Sequence, residues 1–129
     1  MKNFKKYYKI TANPADVYNA LTNKVMIEIW TGENAEMEET PGTEFSMWEE
    51  SICGMNLEFE KDKKIVQEWY FGEEDEDKKS IVTIKLHTDK KGTIMEVVQT
   101  NIPDEAYENI AEGWDDNYFA ALNELFDEK

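Results

Sequence analysis

The last quarter of the chain has the strongest hydrophobic pattern. Its apolar residues recur at three- and four-residue steps, and acidic residues occupy positions between them. This spacing predicts one long amphipathic helix that packs its apolar face against another layer. Gly113, beside Trp114, is expected to allow a bend or a close approach to that layer. The apolar positions are Ile110, Ala111, Trp114, Tyr118, Leu122 and Leu125.

The centre of the chain changes to a period of two, which is typical of strands that bury one face. The alternation is clearest at residues 82–86, and a turn at 89–92 joins this segment to a further strand, 93–102. The polar stretch 72–79 is expected to be a hairpin loop. Consecutive hairpins predict an antiparallel sheet. Residues expected on its buried face are Phe45, Met47, Leu57, Phe59, Ile65, Trp69, Phe71, Val82, Ile84 and Leu86.

The first quarter of the chain predicts a strand and two short helices. The strand-like segment 4–10 is followed by Asn13, which can cap a helix, and by Pro14, which is favoured at the first helical position. A second apolar stripe ends at Trp30 and is closed by Gly32. The whole order is strand, two short helices, about six strands and one long helix, which indicates an α+β fold.

The charge composition narrows the range of partners. The chain has 29 acidic residues against 14 lysines and no arginine, a net charge of -15. Such a surface repels phosphate backbones and anionic lipids, so nucleic-acid binding is not expected. No segment is long and apolar enough for membrane insertion. A basic protein partner stays possible, although solubility explains the charge more simply. The length fits a single domain, 1–129.

Few residues suggest catalysis or metal binding. Cys53 is the only cysteine and His87 the only histidine, so neither an internal disulfide nor a thiolate metal cage can form. A lone cysteine favours a reducing, cytoplasmic location. His87 falls on the polar side of its strand and is expected to be exposed. We therefore predict no catalytic residue, no metal site and no cofactor.

Buried aromatic and amide side chains leave two interpretations open. Trp30, Trp69 and Trp114 lie on three elements that would meet in one core, where they either pack or form the walls of a pocket. Simple packing is the more common outcome. Gln67 and Gln99 fall on buried strand positions, so each needs a partner, more often inside the protein than on a ligand.

Several short motifs, in order along nearly the whole chain, are similar to those of one known family. They include the segment 13–18 in the first helix, 41–45 at the entry to a strand, 101–103 after the last strand, and Gly113 with Trp114. The chain resembles the C-terminal domain of activators of the ninety-kilodalton heat-shock protein ATPase. That family belongs to the START/Bet v 1-like helix-grip superfamily, also called SRPBCC.

The resemblance implies a curved antiparallel sheet of about six or seven strands around the long C-terminal helix. The two short helices would close one end of a cavity. The superfamily includes lipid carriers, hormone receptors, cyclases and chaperone activators, so the resemblance implies no single chemistry. The chain has no counterpart of the additional N-terminal domain of the eukaryotic activators, and we therefore rank chaperone activation second.

The leading prediction is non-enzymatic binding of a small apolar or amphipathic molecule between the sheet and the C-terminal helix. Tyr118 is expected to offer a hydroxyl at an otherwise apolar wall. The alternatives are a protein-interaction domain with a chaperone partner and, less favoured, a cyclase- or hydrolase-like enzyme. The predicted ligand-binding residues are Trp30, Phe45, Met47, Leu57, Phe59, Trp69, Val82, Ile84, Trp114, Tyr118 and Leu122.

Overall fold

A computed structural model describes residues 1–71, 79–90 and 92–127. Its strands are β1 (Lys2–Ile10), β2 (Glu44–Met47), β3 (Ile52–Glu60), β4 (Lys64–Trp69), β5 (Ser80–Asp89) and β6 (Gly92–Ile102). They form one antiparallel sheet of six strands in the order β1-β6-β5-β4-β3-β2. The predicted hairpin loop at 72–79 lies outside the described residues, apart from Lys79.

The helices are α1 (Pro14–Thr22), α2 (Lys24–Thr31), α3 (Tyr107–Gly113) and α4 (Ala120–Phe126). A 3-10 turn, Asp104–Ala106, precedes α3, and a π-helical segment, Trp114–Phe119, joins α3 to α4. We call residues 107–126 the C-terminal helix. This arrangement confirms the predicted α+β helix-grip fold.

The two short helices begin and end where the sequence predicts. The Asn13 side chain accepts a hydrogen bond from the Asp16 backbone amide at 2.9 Å, which caps α1. The Asn23 side chain caps α2 in the same way. Gly32 ends α2 with a φ of 76°, a left-handed conformation that costs glycine little.

The C-terminal helix has the predicted apolar stripe. Trp114, Tyr118 and Leu122 are buried, at intervals of four residues. On an α-helix of 3.6 residues per turn, each such step rotates by about 40° beyond a full turn. The wider π-helical turn reduces this drift, so the three side chains stay aligned toward the sheet. Gly113 has ordinary helical angles, and an added Cβ would meet only the Asn117 side chain at 3.9 Å. Of the two predicted roles of Gly113, a close approach of the sheet is therefore wrong.

The predicted alternation of β5 is confirmed. Val82, Ile84 and Leu86 are buried, whereas Lys85 and His87 are exposed. β6 buries Met95, Val97 and Gln99 against the same core. Phe45 and Met47 on β2 are buried as predicted. These strands and α1 border a core that is mainly apolar and contains a few buried polar side chains, among them Gln99.

The predicted alternation of β3 is half wrong. The register between β3 and β4 shifts between Asn56 and Glu58, so Leu57 is an extra residue at a β-bulge. Before the bulge Asn56 faces the core and is fully buried, and Leu57 is 38% exposed. The prediction that Leu57 faces the core is therefore wrong. After the bulge Phe59 packs against the core and is partly buried.

Candidate functional site

A cavity of about 690 Å³ opens between the C-terminal helix and the ends of β3 and β4 that lie nearest to it. Its volume lies within the range of roughly 300–1,000 Å³ that is typical of small-molecule sites. One wall is formed by the helix and the other by the two strands and the β2–β3 turn. Its apolar and aromatic lining residues are Trp48, Ile52, Cys53, Trp69, Tyr70, Phe71, Ile110, Gly113, Trp114, Tyr118, Ala120 and Ala121.

All four tryptophans of the chain belong to one aromatic cluster centred on Tyr118. The Trp69 and Trp114 rings are stacked, with centroids 5.1 Å apart and planes inclined by 17°. The Tyr118 ring lies 4.4 Å from that of Trp114 and 5.3 Å from that of Trp30. Trp48 contacts Trp30 edge-on at 5.5 Å. The predicted meeting of Trp30, Trp69 and Trp114 is confirmed, with Tyr118 linking them.

Buried amides hold the two stacked indoles from the core side. The Trp114 indole N–H donates to Gln99 Oε1 at 2.9 Å, and Gln99 Nε2 donates to Ser80 Oγ at 3.0 Å. Since Gln99 is fully buried, these bonds satisfy groups that would otherwise carry a desolvation cost.

An equivalent chain of hydrogen bonds holds Trp69. Its indole N–H donates to Gln67 Oε1 at 3.1 Å, and Gln67 Nε2 donates to Asn56 Oδ1 at 3.0 Å. The expectation that Gln67 and Gln99 find partners inside the protein is confirmed. Neither amide is left to bind a ligand through these bonded atoms.

The Tyr118 hydroxyl is different. Tyr118 is only 5% exposed, yet its hydroxyl makes no hydrogen bond with any described residue. No described side-chain nitrogen or oxygen is both fully buried and unpaired, so this hydroxyl must reach open space. Tyr118 lines the cavity, and burial raises the pKa of the phenol well above its usual value. The cavity therefore contains a neutral hydroxyl that is free to bond.

The rim of the cavity is acidic. Glu33, Asp116 and Glu124 line it and are exposed, and no ion pair joins them to another described residue. Among the described lining residues there is no lysine and no histidine. Within this part of the chain, no group of three or more metal-ligating side chains is close enough to hold a metal ion.

The β2–β3 turn places Trp48 at the cavity in a costly backbone conformation. Trp48, Glu49 and Glu50 have φ values of 51°, 51° and 71°. Left-handed backbone costs a non-glycine residue roughly 1–2 kcal/mol. Strain of this kind persists only where surrounding contacts hold it, and it is common at ligand sites. Here the Trp48 ring is held by Trp30 and Tyr118.

The structure brings three of the predicted ligand-binding residues to the cavity, Trp69, Trp114 and Tyr118. Leu57 is exposed and Phe59 is partly buried, and neither lines the cavity. The other predicted residues are buried in the core without lining the cavity. These are Trp30, Phe45, Met47, Val82, Ile84 and Leu122.

The predicted ligand-binding set lacks most of the apolar residues of the cavity wall, among them Trp48, Ile52, Phe71 and Ile110. Trp48 comes directly after the end of β2, and Phe71 lies just beyond the end of β4. Ile52 begins β3, and Ile110 starts the apolar stripe of the C-terminal helix. Phe71 has the inward parity of its strand, so periodicity placed it on the buried face but not at a site. Trp48 lies in a turn without a periodic signal, and only the clustering of aromatic residues near predicted turns could have indicated it.

Comparison with known proteins gives the family. The family described as "Activator of Hsp90 ATPase homolog 1-like protein" matches residues 11–127. The chain belongs to this family. A relative from Dictyostelium discoideum, "Activator of 90 kDa heat shock protein ATPase homolog", is 31% identical over 126 residues. The match covers 97% of this chain and 33% of the relative, so this chain spans about a third of that protein's length.

Solved structures share the fold. An HSP90 activator from Plasmodium falciparum has a TM-score of 0.85 at 25% identity, covering 97% of this chain and 96% of that one. The Aha1 dimer from Colwellia psychrerythraea has a TM-score of 0.85 at 14% identity, covering 98% and 96%. A protein from Mesorhizobium loti has a TM-score of 0.81 at 23% identity, covering 96% of both chains. The last two similarities concern the fold alone.

Among the described residues, every helix is too short or too polar to span a membrane.

Proposed function

We propose that this domain, taken as one unit over residues 1–129, binds a small apolar or amphipathic molecule without catalysing a reaction. The site is the cavity between the C-terminal helix and the ends of β3 and β4. The observation that carries the proposal is Tyr118, a buried residue of the cavity lining whose hydroxyl has no hydrogen-bond partner among the described residues.

Two physical arguments support a ligand at this position. A hydroxyl taken out of bulk water without a partner costs free energy, and a ligand with a polar group would supply the missing bond. The surrounding rings bury large apolar areas and are held in place by the bonded Gln67 and Gln99 amides. A pocket with mainly apolar and aromatic walls and a small number of polar groups is typical of small-molecule sites.

Ligand contact is proposed for the residues that line this cavity rather than for the whole predicted set. From the predicted set these are Trp69, Trp114 and Tyr118, and the structure adds Trp48 and Phe71. Trp30 acts on the site indirectly, because its ring packs against Trp48 and Tyr118 and its indole N–H is already bonded to the Ala20 carbonyl at 2.9 Å.

The test is native mass spectrometry of the freshly purified protein, followed by organic extraction and mass analysis of anything released. We expect a reproducible bound mass, and we expect Tyr118→Phe to weaken its binding about fivefold, because that is the factor for a lost hydrogen bond of about 1 kcal/mol. Tyr7→Phe is the matched control, since Tyr7 is 55% exposed and lies away from the cavity lining.

A protein that stays free of ligand, also after apolar and amphipathic candidates are offered, would contradict the proposal. So would a Tyr118→Phe protein that loses folding and binding to the same extent. In that case the hydroxyl would be part of the fold rather than of a site.

A second candidate is a chaperone-activator-like interaction, favoured by the family and by the names of the relatives in Dictyostelium discoideum and Plasmodium falciparum. The acidic surface would meet a basic surface of the partner, in the reducing cytoplasm that the lone Cys53 favours. We expect co-purification with a ninety-kilodalton heat-shock chaperone that weakens at high salt, because exposed charge pairs are screened. Absence of binding at low salt would contradict it.

A further inference from the structure

We infer that the cavity selects a cationic amphiphile, a molecule with an apolar body and an ammonium-type positive charge. This inference rests on the proposed function and names the class of its ligand. It is carried by three features of the same site, namely unpaired carboxylates at the rim, aromatic walls and the unpaired Tyr118 hydroxyl.

Within the part of the chain that the structure describes, no positive charge balances the rim carboxylates. Glu33, Asp116 and Glu124 make no ion pair with the described residues, and no lysine or histidine lies among the described residues that line the cavity. The neighbouring Asp115, on the other flank of the same helix, is paired with Lys6 at 2.9 Å. A positive group held at the rim would therefore gain attraction without displacing a cation of the described residues.

The walls suit a cation as well as an apolar body. Aromatic ring faces carry negative electrostatic potential and attract ammonium groups, most strongly in tryptophan. Trp48, Trp69 and Trp114 all line the cavity. The Tyr118 hydroxyl oxygen carries lone pairs, so it offers partial negative charge to a cation whether or not that cation has an N–H group.

The same features disfavour anionic amphiphiles. A fatty-acid carboxylate or a phosphate head group would approach three like charges and would find no lysine among the described residues of the wall. Bringing a carboxylate close to other carboxylates raises its free energy unless a cation is present. Neutral amphiphiles remain acceptable, since the apolar walls and the hydroxyl do not depend on charge.

The experiment compares three probes that share one eight-carbon chain, octyltrimethylammonium, 1-octanol and octanoate, each added to the intact protein in a calorimeter. We expect the ammonium probe to bind about tenfold more tightly than the alcohol, and octanoate to bind most weakly. Tetramethylammonium controls for attraction to the acidic surface as a whole, and we expect it to bind far more weakly than octyltrimethylammonium.

Two matched triple variants test whether the preference for the ammonium probe comes from the rim carboxylates. Glu33→Gln, Asp116→Asn and Glu124→Gln together remove three negative charges from the rim. Combined substitution of Glu105, Glu108 and Glu112 by glutamine removes the same charge from exposed positions that do not line the cavity. We expect the rim variant to lose the preference for the ammonium probe while keeping its affinity for octanol, and the control variant to keep both.

Equal affinity for octyltrimethylammonium and octanol would overturn the inference and leave the proposed function intact. Equal effects of the rim and control variants, or tight binding of tetramethylammonium, would overturn it in favour of general surface attraction. If none of the eight-carbon probes bound, the proposed function would fail together with the inference.

Discussion

Similar polar side chains on the two flanks of the C-terminal helix differ in their hydrogen-bond partners. On the flank that faces β1, Asp115 accepts hydrogen bonds from Lys6 at 2.9 Å and from the Tyr8 hydroxyl at 2.7 Å. On the opposite flank, Asp116 and the Tyr118 hydroxyl have no such partners among the described residues. Asp115 and the Tyr8 hydroxyl are therefore bonded to each other within the protein, whereas Asp116 and the Tyr118 hydroxyl have no partner among the described residues.

The satisfied flank is closed by packing as well as by polar bonds. The Tyr8 ring stacks on Phe119 with centroids 4.6 Å apart, so the helix lies directly on β1. The hydrogen bonds from Lys6 and Tyr8 hold the pKa of Asp115 below its ordinary value. The difference indicates that one flank attaches the helix to the sheet, and that the other borders the cavity without such bonds.

The largest expected effect is on the strand pair behind the open flank. An added Cβ at Gly54, which pairs with Trp69, would lie 1.8 Å from the Glu68 backbone carbonyl oxygen. We expect Gly54→Ala to lower the free energy of unfolding by about 3 kcal/mol, because β3 must move away from β4. Chemical denaturation measures this directly.

Gly113→Ala is the matched control for this prediction, because Gly113 lines the cavity and has room for a methyl group. Alanine is the better helix former, so we expect a gain of about 0.5–1 kcal/mol. If Gly54→Ala raised the free energy of unfolding as Gly113→Ala does, the close approach of β4 to Gly54 would be contradicted.

A smaller effect is expected where the two flanks meet, at Trp114. Gln99→Leu would leave the buried Trp114 indole N–H without its acceptor, and we expect a loss of about 1–3 kcal/mol in the free energy of unfolding. Thr100→Val, at a neighbouring and partly exposed position of β6, should stay within about 0.5 kcal/mol. Equal losses would mean that the indole finds another partner.

The smallest expected change in the free energy of unfolding tests the difference between the two flanks most directly. Tyr8→Phe removes a hydroxyl bonded to Asp115, and we expect a loss of about 1 kcal/mol. Tyr118→Phe removes a hydroxyl with no partner, so its free energy of unfolding should be unchanged or slightly higher. If thermal and chemical denaturation gave the same loss for both variants, the Tyr118 hydroxyl would be paired within the protein and the flanks would be alike.

Most of the fold could be predicted because its signals are local. The Asn13 and Asn23 caps, the alternation of β5 and the four-residue steps of the C-terminal helix each depend on neighbours in sequence. Leu57 was misplaced because a β-bulge depends on the partner strand, where the buried Gln67 amide bonds to Asn56. A period of two along one strand contains no information about that partner.

The candidate site was predicted only in part. Trp69, Trp114 and Tyr118 were correctly expected to come together, because each lies at an inward position of a periodic element. The turn residue Trp48 was not expected, since its position depends on three successive left-handed residues and on contacts with Trp30 and Tyr118. No periodic pattern encodes such a turn.

The sequence by itself determined the family, the α+β helix-grip fold, the apolar stripe of the last helix and the strong negative charge. These follow from local spacing, capping residues and composition. Only the tertiary structure decided which polar groups find partners. Gln67 and Gln99 are bonded inside the protein while the Tyr118 hydroxyl is not, because hydrogen-bond satisfaction depends on distances between elements far apart in the chain.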